Sequence, residues 1–376
     1  MRWNPMANSV FSDLSRSELS PLQALSPEEL AGLAAIELGE ARKLVSLVHR
    51  LGALPGHAPA GVRRESFQRA LAVTFLPRFR HVVRTPSEID PFVKYTVETH
   101  DGAIETVRIP LERAGRMSVC VSSQVGCALA CSFCATGRMG LQRNLDAWEI
   151  VEQVRLVRAE LPEKTRIHGV VFQGMGEPLA NLAQVVRAAR IFSDPSAQAI
   201  DARNITVSTA GLPAGIRALG AALPHARLAL SIASARRGRR QSLMPIDIAH
   251  PLDKVLVAAG EHARATGLSP LFAYTLLAGQ NDSPDDARAL AALVLDFGAR
   301  YGRRPRLSLI AYNAIGGDDP YLRTAPPVEE QFRQALIAAG VIPTHRYSGG
   351  SDVGAACGQL AGRSNRSTGN LSGVDD

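Results

Sequence analysis

Strand-like and helix-like segments alternate from about residue 117 to residue 346, and this alternation limits the fold more than any other feature of the chain. Short runs rich in β-branched residues, such as Ile205–Thr209, alternate with longer helical patterns, such as Asn181–Phe192. Repeating βα units form a parallel sheet with right-handed crossovers. About six units are recognisable, fewer than the eight of a closed barrel. The sequence therefore predicts an α/β fold, a partial (β/α)6 barrel.

The residues before this alternating part predict a small helical domain and a hairpin. Ser26-Pro27-Glu28-Glu29 has the composition of a capping box, and helical patterns follow near residues 40–51 and 64–75. His100-Asp101-Gly102 separates two alternating runs, as in a β-hairpin. We expect a helical N-terminal domain at 1–91, a hairpin extension at 92–114, the barrel at 115–347, a C-terminal loop at 348–362 and a disordered tail at 363–376.

Composition narrows the class of protein. With 376 residues, of which 46% are hydrophobic, the chain can bury a large core. It contains no apolar run long enough for a membrane helix, and its first residues are polar and unlike a secretory signal. Three of the five cysteines are clustered, which argues against a disulfide framework. These features predict a cytoplasmic protein without a membrane partner.

The net charge of +7 comes mostly from arginine. Dense groups include Arg236-Arg237 with Arg239-Arg240, and Arg303-Arg304 with Arg306. Arginine binds phosphate with two parallel hydrogen bonds, so the balance favours a polyanionic partner. A solvated arginine-rich surface explains the charge equally well.

Cys127, Cys131 and Cys134 form a C-x3-C-x2-C motif that indicates a metal or cluster site. Structural zinc sites use four closed ligands, usually in two separate pairs, and no second pair follows here. Iron–sulfur clusters are held by cysteine thiolates, and three ligands on four irons would leave one iron open to a substrate. A zinc site completed by Cys120, or a chance group of core cysteines, remains as an alternative.

Other conspicuous residues follow predicted strands, where the ligands of parallel barrels gather. Gly174-Met175-Gly176-Glu177-Pro178 comes directly after one strand, and its carboxylate could hold an ammonium group. An ordinary βα turn is the structural alternative. Cys357, in Ala355-Ala356-Cys357-Gly358-Gln359-Leu360, could be a buried structural thiol.

Taken together, these motifs resemble the radical S-adenosylmethionine (SAM) superfamily, and within it the RlmN/Cfr family of rRNA adenine methyltransferases. The similarity covers about residues 93–362. It rests on the stretch Cys120–Cys134, on Gly174–Pro178 and on Ala355–Leu360. The resemblance implies a [4Fe-4S] cluster and S-adenosyl-L-methionine as cofactors, and a helical N-terminal domain that engages RNA.

The resemblance also implies a set of site residues. Ala233 departs from the family pattern, which usually has His there. The implied cluster ligands are Cys127, Cys131 and Cys134, and the implied SAM contacts are Gly176, Glu177, Ser208, Ser231, Ile232, Ala233 and Asn313.

Three further residues receive chemical roles from the resemblance. Ring carbons of adenine are too electron-poor to attack a sulfonium methyl, so a radical route is needed. The resemblance implies that Cys357 carries the methyl group as S-methylcysteine and that Glu105 accepts the ring proton. It implies that Cys120 then releases the product by forming a transient disulfide with Cys357.

The expected function is thus methylation of an adenosine in 23S rRNA, with ring carbon 2 favoured. The implied partners are ribosomal RNA, with transfer RNA as a further candidate, and an electron donor such as flavodoxin; a monomer is expected. Methylation at carbon 8, a radical SAM enzyme acting on another substrate, and a zinc-dependent RNA-binding module are the alternatives.

Overall fold

The computed structural model describes residues 19–162 and 165–361, and its N-terminal part is a small helical unit. Helices α1 (Pro27–Ala34), α2 (Leu38–Leu51) and α3 (Arg64–Val73) bury their own apolar cluster, which includes Leu30, Leu44 and Phe67. The predicted capping box is present, because Ser26 Oγ accepts from Glu29 N–H while the Glu29 carboxylate accepts from Ser26 N–H. Short strands β1 (Ser20–Pro21) and β2 (Thr74–Phe75) pair beside these helices.

One sheet of ten strands dominates the rest of the molecule. Three antiparallel strands at one edge lead into seven parallel strands, and the parallel part is the partial barrel. From that antiparallel edge the strands are β3 (His81–Pro86), β4 (Val93–Thr99), β5 (Gly102–Pro110), β6 (Arg116–Val121), β9 (Arg166–Phe172), β10 (Ile205–Thr209), β11 (Arg227–Ser231), β12 (Leu271–Leu276), β13 (Arg306–Ala311) and β14 (Thr344–Arg346). A separate hairpin is formed by β7 (Gln124–Cys127) and β8 (Gly140–Asn144).

Helices connect the successive parallel strands and pack on the sheet. Between β6 and β14 there are six connections, so the prediction of six βα units in an open barrel is confirmed. The connecting helices are α5 (Ala147–Ala159), α6 (Leu182–Ser193), α7 (Pro213–Ala222), α9 (Leu252–Thr266), α10 (Pro284–Tyr301) and α11 (Pro326–Ala338), with short helices α4 (Ala135–Arg138) and α8 (Arg239–Leu243) in loops. Val170, Phe172, Leu230 and Phe272 belong to the main core, which these helices cover.

One predicted segment boundary differs from the structure. The segment His81–Pro86, grouped by sequence with the N-terminal helices, forms the edge strand β3 and pairs with β4. Its β-branched residues Val82, Val83 and Thr85 favour pairing once a neighbouring strand is available. The predicted tail at 363–376 lies outside the described residues. Within 19–162 and 165–361, no helix has the length and apolar character needed to cross a bilayer.

A buried arginine joins the helical unit to the barrel. Arg155 on α5 donates to the carbonyl of Val48 at 2.6 Å and to the Glu152 carboxylate at 2.8 Å. Both charged side chains are almost fully buried. Burial raises the pKa of Glu152, and the positive charge of Arg155 opposes part of that rise. The ion pair therefore depends on both partners being present.

We expect Arg155→Met to lower the free energy of unfolding by about 3–5 kcal/mol, because it leaves the buried Glu152 charge unpaired. Chemical denaturation followed by circular dichroism measures this change. The matched double variant Arg155→Met/Glu152→Leu should recover most of the loss. A single variant as stable as the native chain would contradict the assigned ion pair.

Candidate active site

The hairpin of β7 and β8 holds the cysteine loop at the carboxyl ends of the parallel strands. Cys127 ends β7, and β8 begins at Gly140, so the loop between them carries Cys131 and Cys134. The backbone at Gly126 has φ of +76°, and a Cβ there would collide with the carbonyl of Gly140. Only glycine allows the two strands this close, which fixes where the loop begins.

The three thiols of this loop line one pocket. Burial raises the pKa of the Cys127 thiol to about 11 and that of Cys131 still further, and the neighbouring thiols contribute to both shifts. Among the described residues, no group of three or more His, Cys, Asp or Glu side chains is arranged around a single metal ion. The donor set suits a cluster, since three thiols from one loop face the same space and iron–sulfur clusters are held by thiolates.

The motif predicted to contact SAM forms the opposite wall of this pocket. Gly176 has φ of +99°, and its Cα packs so closely on Gln124 that a Cβ would lie 2.5 Å from the Gln124 Cβ. The Gln124 side chain in turn accepts a hydrogen bond from Glu177 N–H at 2.7 Å. These contacts fix the Gly-Met-Gly-Glu turn against the strand that leads to Cys127.

Glu177 is buried, and its carboxylate is held by backbone donors. It accepts from Leu179 N–H at 3.0 Å and from Ala210 N–H at 2.9 Å. Burial raises the pKa of Glu177, while these two bonds oppose the shift. A buried carboxylate in this position favours a cationic ligand such as an ammonium group.

Arg240 supplies a buried positive charge that the sequence analysis missed. Its guanidinium donates to the carbonyls of Ile232 and Ala210, at 3.1 and 2.5 Å, and to the Asp247 carboxylate at 2.6 Å. The arginine-rich run suggested a surface patch, but Arg240 is 1% exposed. No local pattern distinguishes it from the half-buried Arg239, since the carbonyls that it binds follow the ends of two separate strands, β10 and β11.

The remaining predicted SAM contacts divide into two groups. Ser208 and Ser231, at the ends of β10 and β11, line the pocket. Ile232 and Ala233 lie beside it: Ile232 is fully buried, and Ala233, with φ of +56°, belongs to a small apolar cluster with Met244. Their carbonyls accept from Arg240 and from Asn281.

Cys357 lies on the C-terminal loop and lines the same pocket as the three loop thiols. Its N–H donates to Ser348 Oγ at 2.8 Å, and its carbonyl accepts from Asn313 Nδ2 at 3.3 Å. The loop is also tied to the cysteine loop, because Ala135 N–H donates to the Gly358 carbonyl at 2.8 Å. Asn313 thus holds the Cys357 backbone.

Cys120 lies near the end of β6 and is 9% exposed. Burial raises the pKa of its thiol to about 12; Cys357 adds to the shift and Arg346 opposes it. All five cysteines are free thiols in the structure. Cys120 therefore lies within electrostatic range of Cys357 without being bonded to it.

Glu105 on β5 is 1% exposed and forms a buried polar cluster. Its carboxylate pairs with Lys94 Nζ at 3.1 Å and accepts from Thr96 Oγ1 at 3.3 Å and from Ala361 N–H at 2.9 Å. Lys94 was not predicted as a site residue, since it occupies a polar position between the apolar Val93 and Tyr95 of an alternating strand. In the structure both faces of β4 are buried.

Comparisons with known proteins agree with this geometry. The family model described as Radical SAM superfamily matches residues 121–294. A solved radical SAM methyltransferase from Sphaerobacter thermophilus is 34% identical, with a TM-score of 0.80, over 92% of this chain and 100% of its own. Fold and thiol loop together define a radical SAM enzyme.

Curated relatives narrow the class. A probable RNA methyltransferase of Sorangium cellulosum is 59% identical over 89% of this chain and 90% of its own. A probable dual-specificity RNA methyltransferase RlmN of Symbiobacterium thermophilum is 35% identical over 95% and 94%. The chain belongs to the RlmN/Cfr family of radical SAM RNA methyltransferases.

The raised pKa of Cys120 predicts a distinctive pH profile for its alkylation. Only the thiolate reacts, so in the native protein the rate with iodoacetamide should rise about tenfold per pH unit from about pH 7 to about pH 10. Pulse labelling followed by peptide mass spectrometry measures this rate. In the urea-unfolded chain the alkylation rate should level off near pH 9, because the thiol pKa is then the ordinary one. If the rate also levelled off near pH 9 in the native protein, the pKa of Cys120 would not be raised and the prediction would be wrong.

Proposed function

We propose that this enzyme methylates ring carbon 2 of an adenosine in 23S rRNA through an S-methylcysteine on Cys357. The observation that carries the proposal is the pocket itself, which Cys357 shares with Cys127, Cys131 and Cys134. A methyl carrier must lie within reach of the oxidant that activates it, because proximity sets the rate of such a step.

The residues of the pocket fit the cofactors that the family uses. Cys127, Cys131 and Cys134 would hold a [4Fe-4S] cluster, and Glu177 with Gly176, Ser208 and Ser231 would hold S-adenosyl-L-methionine. When bound, these cofactors supply a methyl group and, after one-electron reduction, a carbon radical that can remove hydrogen from an S-methyl group.

Cys357 has the surroundings of a positioned nucleophile. Its backbone is fixed on both sides, by Ser348 at the N–H and by Asn313 at the carbonyl. In the proposed reaction the Cys357 thiolate attacks the sulfonium methyl carbon, so that a new S–C bond forms while the bond from methyl to sulfonium breaks and S-adenosylhomocysteine leaves. The S-methyl group that results presents its carbon to the adenine ring.

Glu105 and Cys120 would complete the transfer. The Glu105 carboxylate accepts the proton that leaves the ring carbon, and the nearby Lys94 ammonium balances its charge before transfer. Cys120 then loses its proton and attacks the Cys357 sulfur, so an S–S bond forms while the C–S bond to the product breaks. The electron pair of that C–S bond stays on the carbon, which takes up one proton and becomes the methyl group. Burial of Cys120 keeps its thiol protonated until that stage.

Membership of the family also supports a proposal about the partners of this enzyme and its location in the cell. We propose ribosomal RNA as the main substrate and transfer RNA as a second, since several relatives are named dual-specificity enzymes. A flavodoxin-like electron donor, a monomeric state, a cytoplasmic location and an RNA-engaging role for the helical unit complete the proposal.

The test is nucleoside mass analysis of 23S rRNA fragments after incubation with anaerobically reconstituted enzyme, SAM and reductant. We expect 2-methyladenosine from the native chain and none from Cys357→Ala, with iron and sulfide content unchanged because the cluster ligands remain. Isolation of 8-methyladenosine instead would overturn the choice of carbon 2.

Cys120→Ala serves as the matched control. It keeps the methyl carrier but removes the resolving thiol, so RNA should remain covalently attached to Cys357 and appear as a slower band in denaturing gels. The double variant Cys120→Ala/Cys357→Ala should show no such band. Normal product from Cys357→Ala would rule out the covalent carrier.

A further inference from the structure

Four parallel strands of the barrel begin with arginine at the same edge of the sheet, and three of these arginines line one cavity there. Arg116, Arg227 and Arg306 are the first residues of β6, β11 and β13. Because the strands are parallel, their amino ends meet at one edge, opposite the site that contains Cys357. This edge has no role in the proposed methyl transfer.

The pleat directs these arginines into the barrel. Side chains two residues apart face the same way, and two residues after the arginines come Ser118, Ala229 and Ser308. Their small side chains leave space inside the barrel next to the arginines. The result is a cavity of about 920 Å³ at the amino ends of the strands.

The cavity is strongly basic. Its charged walls are five arginines and one glutamate, with His168 and His345 in addition. The charged residues are Arg113, Arg116, Arg227, Arg306, Arg346 and Glu112. Lining hydroxyls from Thr206 and Ser308 add groups able to donate hydrogen bonds to an anion.

The positive charge of this cavity is poorly neutralised. Within the described part of the chain, none of the five lining arginines has a carboxylate oxygen within 4.0 Å, whereas the nearby Arg203 pairs with Asp201 at 2.9 Å. Burial and the like charge of Arg306 lower the pKa of Arg227, although Asp201 partly offsets this. Holding like charges together costs free energy, which an anion between them would relieve.

Arg346 separates this cavity from the site above it. Its guanidinium lines the basic cavity and donates to Gln173 Oε1 at 2.7 Å, while Gln173 lines the pocket that contains Cys357. The two spaces therefore lie on opposite sides of one hydrogen bond. A ligand in the basic cavity would not occupy the SAM pocket.

We propose that this cavity is a binding site for a phosphate-bearing ligand, whose phosphate oxygens are bound by Arg116, Arg227 and Arg306. Phosphate matches the planar guanidinium fork and carries more charge than a single carboxylate, so it can neutralise several arginines at once. This inference goes beyond the proposed function and does not require methyl transfer. The phosphate could come from a small polyphosphate or from an RNA backbone.

The test uses isothermal titration calorimetry of the full chain with sodium triphosphate and, separately, with a short RNA hairpin. Arg227→Gln/Arg306→Gln should weaken triphosphate binding at least tenfold, because two of the three proposed contacts are lost. The control Arg217→Gln/Arg333→Gln removes the same charge from exposed side chains that pair with Glu261 and Glu330. Thermal melting checks that all variants fold.

The two phosphate sources give different results. If the cavity variant binds RNA more weakly, and triphosphate competes with RNA in the native chain, the ligand is an RNA backbone. If the cavity variant loses triphosphate binding but binds RNA as the native chain does, the ligand is a small polyphosphate. Absence of saturable binding, or equal losses in the control and cavity variants, would overturn the site. An equal salt dependence of binding in the native chain, the cavity variant and the control would also overturn the site, because loss of two phosphate contacts should reduce that dependence in the cavity variant alone.

Discussion

Side chains alternate between the two faces of a β-strand, and this alternation decides what fills the partial barrel. In closed eight-stranded barrels, bulky branched residues pack the interior. Here the middle of the inner face carries Ser118, Ala229, Ala273 and Ser308, which are buried or half-buried and small. The interior therefore keeps open space at both ends: a pocket lined by thiols at the carboxyl ends and a basic cavity at the amino ends.

The position of Cys357 depends on contacts with segments that are distant in sequence. Thr136 Oγ1 in the cysteine loop donates to the Leu360 carbonyl at 2.5 Å, and Ala361 N–H donates to Glu105 at 2.9 Å. Each such bond contributes about 1 kcal/mol net. The loop that carries Cys357 is thus anchored by the same elements that present the proposed cluster ligands and the proposed proton acceptor, and a disturbance of either would displace Cys357.

Local patterns were sufficient to predict the barrel and the thiol loop, but not the buried charges. Strand–helix alternation and C-x3-C-x2-C are properties of short sequence windows, and the structure has both where they were expected. Arg240 and Lys94 differ because their burial depends on partners on other elements: the Ala210 carbonyl after β10 for Arg240, and the Glu105 carboxylate on the paired strand β5 for Lys94. A charged residue in an arginine-rich run, or at a polar position of an alternating strand, usually lies on the surface, so nothing local marks these two as exceptions.

Arg346 connects the two ends of the barrel electrostatically. Its positive charge opposes the rise in the pKa of Cys120, and its guanidinium also lines the basic cavity. An anion bound below Arg346 would offset part of that charge, and the Cys120 thiol would then hold its proton more firmly. Because the thiolate is the form that attacks sulfur, an anion in the proposed site would slow the attack proposed for Cys120 without any change in the pocket of Cys357. The coupling requires only that the Arg346–Gln173 hydrogen bond keep the guanidinium between the two spaces.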